Sequence, residues 1–309
     1  MTTLVFTHPA CLDHDTGYAH PESPDRLRAV LETLRRPEFA ALEWREAPRA
    51  EPAQLSRVHD IGHIRKIRDA IPETGRVELD LANTVVSPGS GEAALRAAGA
   101  VVAAVDAVAT GEAPKAFCAV RPPGHHAEAD RAMGFCLFNN VAVGAAHAIS
   151  VHGFKRVAVV DFDVHHGNGT QAIFTGEPRV FYASTHQAFI FPNTPAQRQC
   201  AGNILNVALA RGFGGVEFRR VMGEKVLPAL DHFAPNLMFI SAGFDAHIAD
   251  PIGGLRLDND DFAWVTREIA KVAARHGAGR IVSTLEGGYQ PKALAAAVAA
   301  HVRALMSAP

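Results

Sequence analysis

Short apolar runs alternate along the chain with longer helical patterns. The runs Val157–Val160 and Leu237–Ile240 contain no polar residue, which is typical of strands buried on both faces of a parallel sheet. The pattern predicts strands at Thr3–Phe6, Lys115–Val120, Arg156–Val160, Arg179–Ser184, Asn203–Val207, Asn236–Ser241 and Arg280–Thr284.

Residues that favour helix ends mark the helical stretches between these runs. Ser23 followed by Pro24 is typical of an N-cap and a first helical residue, and Gly277 is typical of a helix C-terminus. The predicted helices are Pro24–Leu34, Ser90 to Gly111 with Ser90 as its cap, Asn139–His152, Asp258–His276 and Lys292–Met306. Alternating strands and helices predict an α/β fold with a central, mainly parallel sheet flanked by helices. We find no repeat or linker, so we expect a single domain over residues 1–309.

Charge and cysteine content narrow the classes of function. Lys and Arg number 30 and Asp and Glu 32, and this net charge of −2 argues against a nucleic-acid partner. The four cysteines form no Cys-x-x-Cys pair, and the first residues resemble no signal peptide, so we expect a cytoplasmic protein. Arg96, Asp106 and His301 interrupt the Ala- and Val-rich stretches, so we expect no membrane span of roughly 18 apolar residues.

Polar loops that contain glycine follow four of the predicted strands. They are Arg121–His126, Asp161–Gly169, Ala242–Asp245 and Leu285–Tyr289. Sites in open α/β sheets form beyond the carboxyl ends of the strands, and glycine lets the backbone approach a ligand closely. We therefore expect these loops to build one functional site.

The spacing of Asp161, Asp163 and His165 indicates a metal site. In an extended chain, residues at i, i+2 and i+4 point to one side, and a divalent cation would compensate their charge. Asp245 is positioned to add a ligand from another strand. Oxygen and nitrogen donors without thiolate suit Zn²⁺, and Fe²⁺ or other divalent ions have compatible chemistry. The alternative is that Asp163 and His165 form a polar pair in a turn.

Three further residues are candidates for proton transfer and charge stabilisation. His125 and His126 follow a rigid Pro-Pro-Gly segment, and adjacent imidazoles can serve as general base and general acid. Tyr289 follows two glycines, and its phenol could donate to an oxyanion. The alternatives are solvated loop histidines and a tyrosine that packs at a helix start.

Taken together, these motifs resemble the histone deacetylase superfamily, which includes acetylpolyamine amidohydrolases and acetoin-utilisation proteins. The resemblance rests on RPPGHHAEADRAMGFCLFN at 121–139, DFDVHHGNGTQ at 161–171, SAGFD at 241–245 with Asp250-Pro251, and EGGY at 286–289. HPESPDR at 20–26 resembles the N-terminal signature of the same superfamily. Asn168 and the EGGY form resemble the class II branch, and the motifs cover nearly the whole chain in the expected order.

The resemblance implies an arginase-like fold and zinc-dependent hydrolysis of an N-acyl amide. The zinc ligands would be Asp163, His165 and Asp245. The positions implied for catalysis are His125, His126, Asp161, Asn168 and Tyr289. Asp161 would orient the first histidine, Asn168 would orient the second, and Tyr289 would polarise the substrate carbonyl.

The resemblance also implies how substrate and a second ion are held. Gly134, Phe135 and Phe191 would line a tunnel for an acyl-lysine side chain. The positions that match a structural monovalent cation, K⁺, are Asp161, Asp163, His165 and Ser184. The expected substrate is an acylated lysine peptide or a small acylated amine, and the sequence does not define an oligomeric state.

Two positions bear on substrate choice. Asn83 stands where relatives often carry an aspartate that grips the substrate backbone, which puts peptide affinity in question. Ile252 stands where polyamine-selective relatives carry a glutamate at the tunnel mouth, which favours acyl-lysine over acetylated polyamines. The alternatives are an acetylpolyamine amidohydrolase, an arginase-like dinuclear hydrolase and a non-catalytic acyl-lysine binding protein.

Overall fold

The computed structural model describes residues 2–81, 83–193 and 202–309. Its strands in chain order are β1 (Thr3–Thr7), β2 (Leu42–Glu46), β3 (Val77–Glu78), β4 (Val85–Val86), β5 (Lys115–Cys118), β6 (Val157–Asp161), β7 (Val180–Gln187), β8 (Ile204–Leu209), β9 (Leu237–Ala242) and β10 (Ile281–Leu285). Eight of them form a sheet in the order β2-β1-β5-β10-β9-β6-β7-β8, and β3 pairs with β4 separately. Every pairing in the eight-stranded sheet is parallel.

This sheet confirms the predicted α/β class. Each predicted strand is present, with its ends shifted by at most three residues. The strand β2 was not predicted, because only Leu42 of its five residues is buried. It therefore lacks the continuous apolar run that identifies strands covered on both faces.

The helices are α1 (Pro24–Leu34), α2 (Pro52–Leu55), α3 (Ile61–Ala70), α4 (Ser90–Thr110), α5 (Asn140–Ser150), α6 (Asn168–Phe174), α7 (Gly215–Val221), α8 (Leu227–Phe233), α9 (Asn259–Gly277) and α10 (Pro291–Ser307). The five predicted helices correspond to α1, α4, α5, α9 and α10. The prediction that Ser90 caps α4 is wrong, because Gly89 occupies the cap position. The Ser90 hydroxyl instead accepts the Ser87 backbone N–H at 2.8 Å and contacts Nδ1 of His14 at 2.7 Å.

Two groups of helices pack against the sheet. One group contains α4 and α5, which contact each other and the central strands, and the other contains α1, α9 and α10. Val157–Val160 and Leu237–Ile240 are almost completely buried between the covering layers, as their apolar runs predict. Burial of such side chains typically stabilises a fold by about 1.5–3 kcal/mol each.

Helix α4 alone, among the described residues, is long and apolar enough to cross a membrane by length and composition. This differs from the expectation that charged residues would interrupt every such stretch. Of its most apolar window, 67% is buried inside the protein. The apolar surface of α4 is therefore covered largely by the protein's own core.

Among the described cysteines, Cys11, Cys118 and Cys136 are buried and unpaired. Cys200 lies outside the described residues.

Candidate active site

The four polar loops predicted from the sequence follow β5, β6, β9 and β10. These strands are neighbours at the centre of the sheet, in the order β5-β10-β9-β6. Because all four are parallel, their carboxyl ends lie at the same sheet edge. The strand order therefore brings together loops that are distant in sequence: Gly124 and Glu286, which are hydrogen-bonded, are 162 residues apart.

A buried cluster of three metal-compatible side chains lies at this edge. Asp163 and His165 follow β6, and Asp245 follows β9. Nδ1 of His165 lies 3.1 Å from Oδ1 of Asp163 and 3.1 Å from Oδ2 of Asp245. One ring nitrogen thus faces two buried carboxylates, and a single N–H cannot neutralise both. One nitrogen and two oxygen donors, all within 4.8 Å of one another, fit a divalent metal ion.

Asp161 does not join this cluster. The chain bends at residues 163–165 instead of remaining extended, so the predicted alternation of side chains fails. Oδ2 of Asp161 lies 3.0 Å from Nδ1 of His125 and accepts the Tyr182 hydroxyl at 3.0 Å. Asp161 thereby orients His125 and does not belong to the cluster of Asp163, His165 and Asp245.

Burial and charge make the metal-compatible cluster sensitive to pH. Burial and the neighbouring Asp163 carboxylate raise the pKa of Asp245 to about 7. Burial lowers the pKa of His165, but its hydrogen bonds to Asp163 and Asp245 raise it overall to about 10. Without a metal, both groups therefore hold protons in slightly acidic solution.

Metal affinity is expected to rise with pH. A metal ion must displace the protons of His165 and Asp245, so the apparent affinity should increase at least about tenfold for each unit from pH 6 to 8. Competition with a chelator, corrected for the chelator's own protonation, would measure this. An affinity that does not change with pH would contradict the assignment of these ligands.

The two adjacent histidines have different partners. Nδ1 of His125 faces the Asp161 carboxylate, whereas Nδ1 of His126 lies 2.8 Å from Oδ1 of the neutral Asn168. Burial lowers the pKa of His125, but Asp161 and Asp163 raise it overall to about 10. Burial and the charge of His125 lower the pKa of His126 well below its ordinary value. At neutral pH the arrangement therefore favours an imidazolium at His125 and a neutral imidazole at His126.

Glu286 supports this histidine pair, a role that sequence reasoning missed. Its carboxylate is fully buried and accepts the backbone N–H groups of Gly124 and His125, at 2.7 and 3.2 Å. Ser241 donates its hydroxyl to the other carboxylate oxygen at 3.0 Å. The sequence motif EGGY does contain Glu286. The motif could not reveal this role, because the partners of Glu286 come from two other strand ends.

The N-terminal signature forms a buried ion network under the EGGY segment. Glu22 accepts from Arg121 at 2.5 and 2.7 Å and from Arg26 at 2.9 Å. Arg26 also donates to the backbone carbonyls of Glu286 and Gly288. Its guanidinium lies 4.9 Å from the centre of the Tyr289 ring. The network fixes the loop that carries Tyr289.

A cavity of about 210 Å³ reaches His126, His165 and Tyr289. Its lining comprises His126, Gly134, Phe135, His165, Phe191, Ile252 and Tyr289. A Cβ atom at Gly134 would lie 2.6 Å from His126 and 2.7 Å from Phe191, so glycine keeps the cavity open at this position. The structure thus brings the four predicted substrate-binding residues together around Tyr289 and the metal-compatible cluster.

Two other predicted positions lie near the site. Asn83 is exposed, and its backbone carbonyl lies 3.0 Å from Nε2 of His20. Ser184 is buried in β7 directly opposite Asp161 of β6, and its hydroxyl lies 2.9 Å from Nδ1 of His186.

A second group of metal-compatible residues lies between α4 and α5, away from the cavity. Nε2 of His147 and Nε2 of His152 each lie 2.7 Å from Oδ1 of Asp106. Nη1 of Arg57 lies 2.9 Å from Nδ1 of His147, and a guanidinium can only donate. His147 therefore accepts at Nδ1 and carries its proton at Nε2, towards Asp106. Hydrogen bonds thus satisfy this group without a metal.

The parallel sheet with polar loops at its carboxyl edge has the arginase-like fold. Residues 20–305 match the histone deacetylase domain, and the chain belongs to the histone deacetylase family. It is 40% identical to a histone deacetylase-like amidohydrolase of Pseudomonas aeruginosa, covering 87% of this chain and 72% of that protein. The crystal structure of the HDA15 HD domain superposes with a TM-score of 0.92 at 31% identity, covering 99% of this chain and 89% of that one.

A type-2 histone deacetylase 2 of Dictyostelium discoideum is 36% identical over 98% of this chain, which spans only 21% of that longer protein. The family is one of deacetylases and related amidohydrolases, so the shared chemistry is hydrolysis of an amide.

Proposed function

We propose that this chain is a single-domain, zinc-dependent deacetylase that hydrolyses N-acyl-lysine or a similar linear acylated amine. One observation carries the proposal: a cavity lined by His126, His165 and Tyr289 lies next to the buried Asp–His–Asp donor set to which His165 belongs. Turnover of acyl-lysine peptides by the purified protein tests it directly. Binding without turnover would favour a non-catalytic acyl-lysine binding protein.

Asp163, His165 and Asp245 would hold the metal ion. Their nitrogen and oxygen donors suit zinc, and Fe²⁺ is the alternative ion to test. A bound zinc ion supplies Lewis acidity towards the amide carbonyl and makes a neighbouring water more acidic. A structural K⁺ near Asp161 and Ser184 is part of the same proposal, and their direct register across β6 and β7 supports it.

The two histidines, His125 and His126, carry out the proton transfers and stabilise charge. Oδ1 of Asn168 accepts Nδ1–H of His126, so the lone pair of His126 is at Nε2, and this nitrogen takes the proton of the attacking water. It then passes the proton to the amine nitrogen as the C–N bond breaks. His125, charged beside Asp161, stabilises the negative charge that develops. Water and the acylated amine thereby become a carboxylic acid and a free amine.

Tyr289 is positioned to stabilise the oxyanion. Burial raises the pKa of its phenol well above the ordinary value, so the hydroxyl remains a hydrogen-bond donor at neutral pH. Its ring contacts Phe135 edge-on at 5.9 Å between centroids. Tyr289 and Phe135 thus share the cavity wall with His126, so a substrate in the cavity would meet the phenol and the general base together.

The cavity wall supports a linear, uncharged substrate segment. Phe135 and Phe191 offer aromatic surface to the methylene groups of a lysine side chain. Ile252, at 37% exposure, also lines the cavity and carries no charge. A protonated polyamine therefore meets no carboxylate at this position, whereas a neutral acyl-lysine needs none.

A direct competition between an acetyl-lysine peptide and acetylputrescine tests the substrate class. We expect the peptide to have the higher kcat/KM, and we expect Ile252→Glu to shift the ratio towards acetylputrescine by about tenfold, since a nearby carboxylate favours a cation by a few kcal/mol before desolvation. Ile248→Glu is a matched control, because Ile248 is 49% exposed and is not part of the cavity lining. A tenfold preference of the unmodified protein for acetylputrescine would favour the polyamine amidohydrolase instead.

A further inference from the structure

The side-chain amide of Asn168 makes a different contact at each end. Its Oδ1 lies 2.8 Å from Nδ1 of His126, and its Nδ2 donates to Oε1 of Glu128 at 2.8 Å. Two weaker contacts of Nδ2 lead to the His126 carbonyl at 3.4 Å and to Sδ of Met133 at 3.3 Å. Glu128 is therefore the charged acceptor that the structure gives to this amide nitrogen.

An ionised carboxylate permits only one orientation of this amide. Glu128 can accept but cannot donate, so it attracts Nδ2 of Asn168. Rotating the amide by 180° would place Oδ1 of Asn168 against the Glu128 carboxylate, with two acceptors about 2.8 Å apart. The same rotation would present Nδ2 to His126 and require an acceptor at Nδ1.

The orientation of Asn168 decides which nitrogen of His126 carries the proton. When Oδ1 faces the ring, the proton lies on Nδ1 and the lone pair on Nε2. In the reversed orientation the proton moves to Nε2, and His126 can no longer take a proton at that nitrogen. We propose that Glu128 is a positioning residue that locks Asn168 and thereby keeps Nε2 of His126 available as the general base. This inference rests on the proposed function, in which His126 is that base.

Glu128 is itself held in place. Its second carboxylate oxygen, Oε2, accepts from Arg131 at 2.7 Å, and its backbone N–H donates to the Arg131 carbonyl at 3.0 Å. The Glu128 side chain is 19% exposed, against 56% for Arg131. The ion pair with Arg131 thus occupies the solvent side, and Oε1 faces Asn168.

Two variants at Glu128, each made with Asn or Asp at position 168, test the lock. With Asn168, both Glu128→Ala and Glu128→Gln should lower kcat about two- to tenfold with little change in KM, because both amide orientations become accessible. Glu128→Gln should have the same effect as Glu128→Ala, because the glutamine amide can either accept from or donate to Asn168 and so favours neither orientation. Arg131→Ala is the matched control and should leave kcat within about twofold, because Glu128 keeps its contact with Asn168.

The effect of Glu128→Gln should reverse sign in the Asn168→Asp background. Asn168→Asp alone places two carboxylates in contact and should lower kcat, whereas adding Glu128→Gln supplies a donor and should restore kcat about tenfold. A purely structural role for Glu128 predicts losses in both backgrounds, and that result would overturn the proposal.

Nitrogen-15 NMR of labelled histidines provides a readout that does not depend on turnover. In the zinc-loaded protein, His126 should show the Nδ1–H form alone, and Glu128→Ala should add a population with the proton on Nε2. An unchanged His126 spectrum in Glu128→Ala would refute the lock, even if the unmodified protein is active. Absence of turnover in the unmodified protein would instead refute the proposed function, and the NMR comparison would still decide the orientation of Asn168.

Discussion

Tyr289→Phe is expected to lower kcat by about 10²–10³ with little change in KM, because it removes one preorganised donor to the oxyanion. The change deletes only the hydroxyl. The phenylalanine ring can keep the edge-on contact with Phe135 and the position under the Arg26 guanidinium. The cavity wall and the buried ion network should therefore persist, and the loss should appear in the chemical step.

Steady-state kinetics with an acetyl-lysine peptide, together with thermal unfolding, would separate the effects of Tyr289→Phe. A midpoint of unfolding close to that of the unmodified protein would show that the loss is catalytic. Near-normal kcat in this variant would remove Tyr289 from the mechanism and leave it as a packing residue of the cavity wall.

Asp245→Ala is expected to abolish tightly bound metal and turnover while the fold is retained. Mutating a residue that hydrogen-bonds to a metal ligand typically weakens metal binding roughly 10–100-fold. Loss of one of the three ligands themselves should weaken it by more. Asp245 follows β9 and contributes no side chain to the sheet core, and its removal also relieves its repulsion with Asp163. Elemental analysis of the purified variant would measure the metal content.

Asp245→Asn is the control for the structural effect of Asp245→Ala. The Asp245 carboxylate accepts the Val164 backbone N–H at 2.8 Å, and an asparagine oxygen can keep this bond, whereas alanine leaves a buried N–H without it, at a cost of about 1–3 kcal/mol. Comparing the two variants separates loss of the metal from loss of this hydrogen bond. Unchanged metal content in Asp245→Ala would show that the ligand assignment is wrong.

The sequence alone was sufficient for the central strands and the long helices. Val157–Val160 and Leu237–Ile240 are buried on both faces, and such strands must be apolar at every position, so their pattern is unambiguous. β2 was missed because only Leu42 of its five residues is buried, so its sequence contains no apolar run. Short helices such as α2 and α6 escaped it because four to seven residues carry too little periodicity.

The site residues could be named from motifs, but their contacts could not. Asp161 and Asp163 are two positions apart, and only the bend after β6 separates their roles by directing Asp161 to His125. Serine is a common helix cap, but the Ser90 hydroxyl hydrogen-bonds to His14 and to the Ser87 backbone instead. In each case one partner is distant along the chain: His125 for Asp161 and His14 for Ser90.

The sequence by itself determined the α/β class, the loops that carry polar residues and the residue types available for metal binding and proton transfer. These features depend on side-chain chemistry and on periodicity within a few residues. Only the tertiary structure decided that β5, β10, β9 and β6 are neighbours, that Glu286 supports the histidine pair and that Glu128 faces Asn168. The reason is physical: strand order and buried hydrogen bonds join segments far apart in the chain, and no local pattern records which of them will meet.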